Sequence, residues 1–183
     1  MKINKVVPFI FFILFCQNVF AWQHGISLGY GFAPANVQGY GNNGFFFNAK
    51  LHKFKPLDRT LFLTLDGSWG HWQATTAQHK NLDTLALAAA FRAYFTSPKK
   101  QRFKPYLLLS VGPAYLSSKQ FGLVKQGSHC VCQITFGAGS EVVINQREFE
   151  INLRFVHYCN GGLAKPNESI NILYVVSVGY LFG

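Results

Sequence analysis

The sequence predicts an all-β protein, an eight-stranded antiparallel up-and-down transmembrane β-barrel, and three observations lead to this fold class. Apolar and non-apolar residues alternate with a period of two in eight separate stretches. The longer stretches reach about ten residues, which is the length that a tilted membrane-spanning strand needs. Phenylalanine and tyrosine concentrate at the strand ends, where the aromatic girdles of outer-membrane barrels lie.

The segment before the strands is predicted to be a secretory signal. Two lysines and a short apolar run, residues 6–16, precede the tripeptide VFA that ends at Ala21. This arrangement is typical of a signal peptide with its cleavage site, and the apolar run is too short to span a membrane as a helix. We therefore expect residues 1–21 to be a signal peptide and residues 22–183 to form a single barrel domain.

Each predicted strand places large apolar residues on one face and small or polar residues on the other. In chain order, the strands are residues 25–33, 44–54, 60–70, 84–95, 106–116, 132–141, 148–159 and 170–182. Their apolar faces begin, in the same order, with Ile26, Phe45, Leu61, Leu85, Leu107, Ile134, Phe149 and Ile172. In a membrane barrel these faces contact lipid, and the opposite faces fill the interior.

The opposite faces carry charged residues, namely Asp66, Arg92, Glu141, Glu150 and Arg154. Eight strands enclose a narrow interior that side chains can fill, so a porin is not expected. A secreted β-sandwich or a lipocalin-like barrel also alternates in this way and is the alternative. The strand length and the aromatic content favour the membrane barrel.

An even number of strands places both chain ends on the periplasmic side. The outward loops are then residues 34–43, 71–81, 117–129 and 160–168, and the periplasmic turns are residues 55–59, 96–104 and 143–147. The chain has 17 basic and 7 acidic residues, and removal of Lys2 and Lys5 leaves a net charge of +8. A basic surface favours anionic partners, and because the chain is exported, nucleic acid is not expected among them.

The seventh predicted strand ends with two residues that can react. Continuing its apolar face in steps of two reaches His157 and Cys159, so both are predicted to face lipid near the outer end of the barrel. A histidine beside a thiol on one strand face can take the thiol proton, and the thiolate can attack an ester carbonyl. The amides of residues 160–162 could stabilise the resulting oxyanion. A site on the outer wall suits a lipid substrate.

The stretch HYCNGGLAKPN, residues 157–167, resembles the H-Y-S-N-x-G-L-x-x-P-N segment of the PagL-type lipid A 3-O-deacylases. These are eight-stranded barrels of the Gram-negative outer membrane with a catalytic site on the lipid-facing wall. The resemblance implies hydrolysis of the ester-linked 3-hydroxyacyl chain of lipopolysaccharide without a cofactor. It assigns the general base to His157 and the oxyanion region to Asn160, Gly162 and Asn167.

Two positions depart from the pattern of this family. Its nucleophilic serine is Cys159 here, and its acidic residue falls on Asn171, which strand parity places inside the barrel unless the strand starts irregularly. Glu168, in the preceding loop, is the other candidate for orienting the histidine. Two functions follow from these changes. The first is a thiol esterase, and the second is an inactive small barrel of the OmpX or OmpW kind that binds lipid or an external partner.

The remaining cysteines and histidines give weaker signals. Cys130 and Cys132 share one strand face, where a bridge between them would be strained. The stretch WGHW at residues 69–72 is interpreted as an interfacial girdle rather than as a metal site at His71. The histidines show no ligand spacing, so no metal is expected. A monomer and a homodimer are both compatible with the sequence.

Overall fold

The computed structural model describes residues 24–54, 57–76, 78–98 and 101–182, and the predicted signal peptide lies outside these residues. The elements, in chain order, are β1 (His24–Ala33), α1 (Ala35–Gln38), β2 (Asn42–Lys53), β3 (Leu61–Ala74), β4 (Asn81–Tyr94), β5 (Phe103–Leu116), β6 (Gln120–Phe121), β7 (Val124–Lys125), β8 (Cys130–Ile144), β9 (Arg147–Cys159) and β10 (Ile170–Phe182). No helix in the described ranges has the length and apolar character needed to cross a membrane.

Eight long antiparallel strands close into a barrel in the order β1-β10-β9-β8-β5-β4-β3-β2. The predicted up-and-down barrel is therefore confirmed. Closure leaves the barrel sheet without a free edge, which is what an apolar membrane interior demands. The sequence did not predict the two-stranded ribbon β6–β7, which lies inside the long loop between β5 and β8. The strand β3 also runs past its predicted end, because residues 71–74 pair with β2.

The outer wall is a continuous apolar surface. Alternate residues of β1 and β10 are exposed, as in Leu28 with 69% and Val178 with 56% of the residue surface accessible. Outward aromatic rings also meet edge to face, as Tyr30 and Phe45 do with centroids 5.6 Å apart. Such a surface would be costly in water, and it matches the hydrocarbon contact expected of the predicted lipid face.

The periplasmic half of the interior is filled by paired charges. Lys50 Nζ lies 3.5 Å from Glu141 and 3.6 Å from Glu150, and Arg92 Nη2 lies 2.8 Å from Asp66. Buried charges are stable only when they have partners, so these contacts explain how ionic residues are tolerated there. The inward orientation predicted for the charged residues is confirmed.

The outer half of the interior is instead apolar. A buried cluster fills it, and its members include Tyr40, Phe46, Trp72, Leu82, Leu116, Phe121, Val156, Tyr158, Ile170, Ile172 and Val175. The girdle interpretation was wrong for Trp72, which is fully buried and donates a hydrogen bond from Nε1 to Thr84 Oγ1 at 3.3 Å. Burial also raises the pKa of the Tyr40 phenol above its usual range, so this loop residue stays protonated. The apolar cluster therefore fills the barrel interior behind the outer ends of β9 and β10.

Candidate active site

Strand β9 presents His157 and Cys159 on the outside of the barrel. Val156 and Tyr158 are fully buried in the apolar cluster. His157 and Cys159, which alternate with them, are half-buried on the outer wall. The strand alternates without interruption up to Cys159, which is its last residue. The predicted lipid-facing orientation of His157 and Cys159 is therefore what the structure has.

A β-bulge decides the position of Asn171. The pairing of β10 with β9 runs from Asn171 opposite His157 to Ile172 opposite Val156, and then shifts by one residue before Val175. Strand parity had placed Ile172 on the lipid face and Asn171 inside, and both placements were wrong. The bulge turns Ile170 and Ile172 into the apolar cluster, where an unpaired amide would be costly, and it turns Asn171 outward.

The side chain of Asn171 holds the imidazole of His157. Its Oδ1 lies 2.6 Å from His157 Nδ1, and because an amide oxygen accepts, Nδ1 is the donor. This tautomer leaves Nε2 with a lone pair, so Nε2 is the ring atom that can take a proton. The ring of Phe155 stacks against the imidazole with centroids 6.3 Å apart. The histidine is thus fixed by one hydrogen bond and one ring contact.

Glu168, the other candidate for orienting His157, is bound to Lys125 of the ribbon β6–β7. Its carboxylate accepts a hydrogen bond from the backbone N–H of Lys125 at 2.5 Å, and its own N–H donates to the Lys125 carbonyl at 3.1 Å. The residue therefore ties the loop after β9 to the ribbon β6–β7, and Gly127 strengthens this tie by donating to the Pro166 carbonyl at 2.6 Å. Of the two candidates for orienting His157, the structure brings Asn171 to the ring and uses Glu168 to anchor the loop.

Asn160 organises the loop that follows Cys159. It is 3% exposed, and its Nδ2 donates to the carbonyls of Ala164 and Pro166 at 2.6 and 3.2 Å. Its Oδ1 accepts from the Gly162 N–H at 3.0 Å, and its backbone N–H donates to Asn167 Oδ1 at 2.9 Å. The predicted oxyanion residues therefore form one network, but the donors of Asn160 and Gly162 are engaged within the loop. The Oδ1 of Asn167 accepts the hydrogen bond from the Asn160 N–H, and Asn167 itself is exposed.

Sequence reasoning did not identify Cys132 as a neighbour of the site. The ladder between β8 and β9 places Cys132 directly opposite Cys159, and Ile134 directly opposite His157. Both cysteines are half-buried on the outer wall. The sequence feature that could have revealed this neighbour is the two-residue turn at Asn145 and Gln146. Both residues have positive φ, and a turn of this type fixes the register of the whole hairpin.

A second histidine pair lies on the far side of the barrel. His71 of β3 stands directly opposite Asp83 of β4, and its Nδ1 is 2.8 Å from Asp83 Oδ1. The ring of Trp69 stacks on His71 with centroids 6.3 Å apart. Among the described residues, no three histidine, cysteine or acidic side chains are grouped so that they could hold a metal ion.

Comparison with known proteins gives a family and a fold. Residues 40–180 match the family model described as lipid A 3-O-deacylase (PagL). The crystal structure of the outer membrane enzyme PagL aligns with a TM-score of 0.62 at 19% identity, over 86% of this chain and 97% of that one. Neisserial surface protein A aligns with a TM-score of 0.55 at 12% identity, over 88% of this chain and 96% of that one. A search of curated proteins finds no match.

Proposed function

This chain belongs to the lipid A 3-O-deacylase (PagL) family, whose model covers most of its length, and we propose that it is an active thiol esterase of that family. It is an outer-membrane β-barrel. Its substrate is the ester-linked 3-hydroxyacyl chain of lipid A in the outer leaflet. Cys159 is the nucleophile, His157 the general base, and Asn171 the residue that orients the base.

One observation carries this proposal: His157 and Cys159 share the outer wall, and Asn171 holds the imidazole with Nε2 ready to accept a proton. Nε2 takes the proton of the Cys159 thiol, and the thiolate attacks the ester carbonyl. The tetrahedral intermediate collapses to a thioester and releases the sugar hydroxyl, which receives its proton from His157. Water, activated by the same histidine, then hydrolyses the thioester and releases a 3-hydroxy fatty acid.

The loop after β9 supplies the oxyanion site in this proposal. The nitrogen donors of Asn160 are already used within the loop, so its role is to position other groups. Its backbone N–H holds the oxygen of the Asn167 amide, and Asn167 is the residue that offers its NH₂ group to the oxyanion. Gly162 keeps the turn in shape by donating to Asn160 Oδ1. Asn160 and Gly162 therefore act by positioning, and Asn167 acts by donation.

The amide at position 171 suits a cysteine nucleophile. A carboxylate stabilises an imidazolium ion by charge, which an amide does not do. A thiol ionises near pH 8.5 in a model peptide, far below an aliphatic hydroxyl, so it asks less of its base. An asparagine that fixes the tautomer and orientation of His157 is then sufficient. The two departures from the family pattern support each other.

The test is mass spectrometry of lipid A from Gram-negative cells that express the protein. We expect a lipid A species that has lost one 3-hydroxyacyl chain, together with release of the corresponding acid. Cys159→Ala is the control, with folding checked by the heat-dependent gel migration of the barrel. Unchanged lipid A at high levels of folded protein would contradict the proposal. Activity gained only by Cys159→Ser combined with Asn171→Glu would identify the natural chain as an inactive barrel.

A further inference from the structure

Cys132 and Cys159 occupy directly opposed positions on neighbouring strands. The ladder between β8 and β9 runs without a shift from Ile144 opposite Arg147 to Cys132 opposite Cys159. Because the register is unbroken and side chains alternate, both thiols point to the same outer face. Both are half-buried, so neither is sealed in the core.

The spacing of such a pair fits a disulfide. Residues directly opposed in antiparallel strands have Cα atoms about 4.5 or 5.5 Å apart, depending on the type of pair, and both values lie within the roughly 4.4–6.8 Å that a disulfide accepts. Cys130 lies two residues further along β8, outside the paired part of β9. Cys130 and Cys132 are two apart on one strand with parallel side chains, so their Cβ atoms are about 6.6 Å apart, whereas a disulfide needs Cβ atoms about 3.5–4.5 Å apart. The geometry therefore selects one pair among the three thiols.

We infer that Cys132 and Cys159 form a modification site, an oxidisable dithiol whose cross-strand disulfide blocks the nucleophile. The effect on hydrolysis rests on the proposed function, whereas the modification itself does not. A bridged Cys159 sulfur has no thiolate with which to attack an ester. Reduction of the bridge restores the thiolate, so the modification is reversible.

The oxidant is a small-molecule disulfide, and the steps balance as ordinary thiol–disulfide exchange. The Cys159 thiolate attacks one sulfur of the oxidant, forms a mixed disulfide and releases one small thiolate. The Cys132 thiolate then attacks the Cys159 sulfur and releases the second small thiolate. The two protein thiols lose two protons and two electrons, and the small disulfide becomes two thiols.

The position of the pair favours this reaction. Cys159 is the last residue of β9, and residues 161–163 of the loop after it are exposed, so a water-soluble disulfide reaches it at the membrane surface. His157, two residues earlier on the same face, accepts the proton that must leave the attacking thiol. The outer membrane also lies outside the reducing cytosol.

The experiment treats the reconstituted, processed protein with oxidised glutathione and measures free thiols, the peptide map and deacylation. We expect two of the three thiols to be lost, one peptide pair linked through Cys132 and Cys159, and Cys130 still free. Deacylation should fall in proportion to the linked fraction and return after reduction. Cys130→Ser should behave like the natural chain.

Cys132→Ser should keep its activity before oxidation, form no such link, and retain glutathione on Cys159 instead. A glutathione adduct that persists on Cys159 of the natural chain, or a link through Cys130, would overturn the inference. The two proposals fail in different ways. A linked pair in a protein that never deacylates lipid A contradicts only the proposed function, and deacylation without a linked pair contradicts only the modification site.

Discussion

Two histidines on opposite walls of the barrel have nearly the same surroundings. The β9–β10 pair consists of His157 and Asn171, and the β3–β4 pair consists of His71 and Asp83. The two pairs are four strands apart in either direction around the closed barrel. In each, Nδ1 contacts an oxygen of the directly opposed residue, at 2.6 and 2.8 Å. In each, an aromatic ring two residues earlier stacks on the imidazole with centroids 6.3 Å apart.

The difference between the pairs lies two residues after each histidine. Cys159 occupies that position in β9, and Gln73 occupies it in β3. The β3–β4 pair has the stronger orienting group, a carboxylate, but it has no nucleophile beside it on its own strand. An oriented histidine on the outer wall therefore does not by itself distinguish the proposed site from the β3–β4 pair. The informative features are the neighbouring thiol and the loop that Asn160 organises.

The largest expected effect separates the two histidines directly. His157→Ala should lower deacylation by about 10²–10⁴-fold, because it removes the proposed general base. His71→Ala should leave deacylation unchanged, since its ring lies on the far wall. Lipid A mass spectrometry gives the activity, and gel migration with and without heating confirms that both variants fold. Equal losses in the two variants would mean that both histidines support the barrel rather than the reaction.

The loop after β9 is the next difference to test. Asn160→Ala removes the side-chain hydrogen bonds to Ala164, Pro166 and Gly162, and each is worth about 1 kcal/mol. We expect kcat to fall by about tenfold or more, with KM less affected, because the loop that positions Asn167, the proposed oxyanion donor, loses its shape. Thr76→Ala, in the loop beside the β3–β4 pair, is the matched control, since Thr76 Oγ1 also bonds a loop carbonyl. Unaltered kcat in Asn160→Ala would contradict the positioning role.

Exchange of the orienting groups gives a smaller effect. Asn171→Ala should lower kcat by about three- to tenfold, which corresponds to the loss of one hydrogen bond. Asn171→Asp should retain activity, because a carboxylate also accepts from Nδ1. On the far wall, Asp83→Asn copies the natural arrangement of β9–β10 and should change nothing. Full activity in Asn171→Ala would show that the contact with His157 is dispensable.

The smallest effect concerns thiol reactivity without any lipid substrate. Cys159 should be alkylated a few times faster than Cys130 or Cys132 by a small membrane-permeant reagent, because reactivity follows the thiolate fraction and access. His157→Ala should remove this preference, and His71→Ala should keep it. Labelling rates of the individual cysteine peptides provide the measurement. If Cys159 is still labelled faster in the His157→Ala variant, the result contradicts proton transfer between His157 and Cys159.

The period of two predicted the strands, the outer wall and the outward direction of His157 and Cys159, and strand length and aromatic content distinguished the membrane barrel from a sandwich. It failed at β10, because the bulge before Val175 depends on which side chains the apolar cluster accepts, and strand parity carries no information about that. The ribbon β6–β7 was missed because each strand is only two residues long. The pairing of Cys132 with Cys159 could have been predicted from the sequence, because the turn at Asn145 and Gln146 sets the register of the hairpin.

The outward direction of the His157 and Cys159 side chains, together with the filled interior behind them, makes encounter with a substrate two-dimensional. Under the proposed function, a lipid substrate reaches these side chains by sideways diffusion within the leaflet, because they lie on the outer wall and the interior behind them is filled. The quantity that governs the encounter rate is then the mole fraction of that lipid in the membrane rather than its amount per volume of solution. Adding inert phospholipid to the same vesicles slows the encounter, whereas diluting the vesicles with buffer leaves it unchanged.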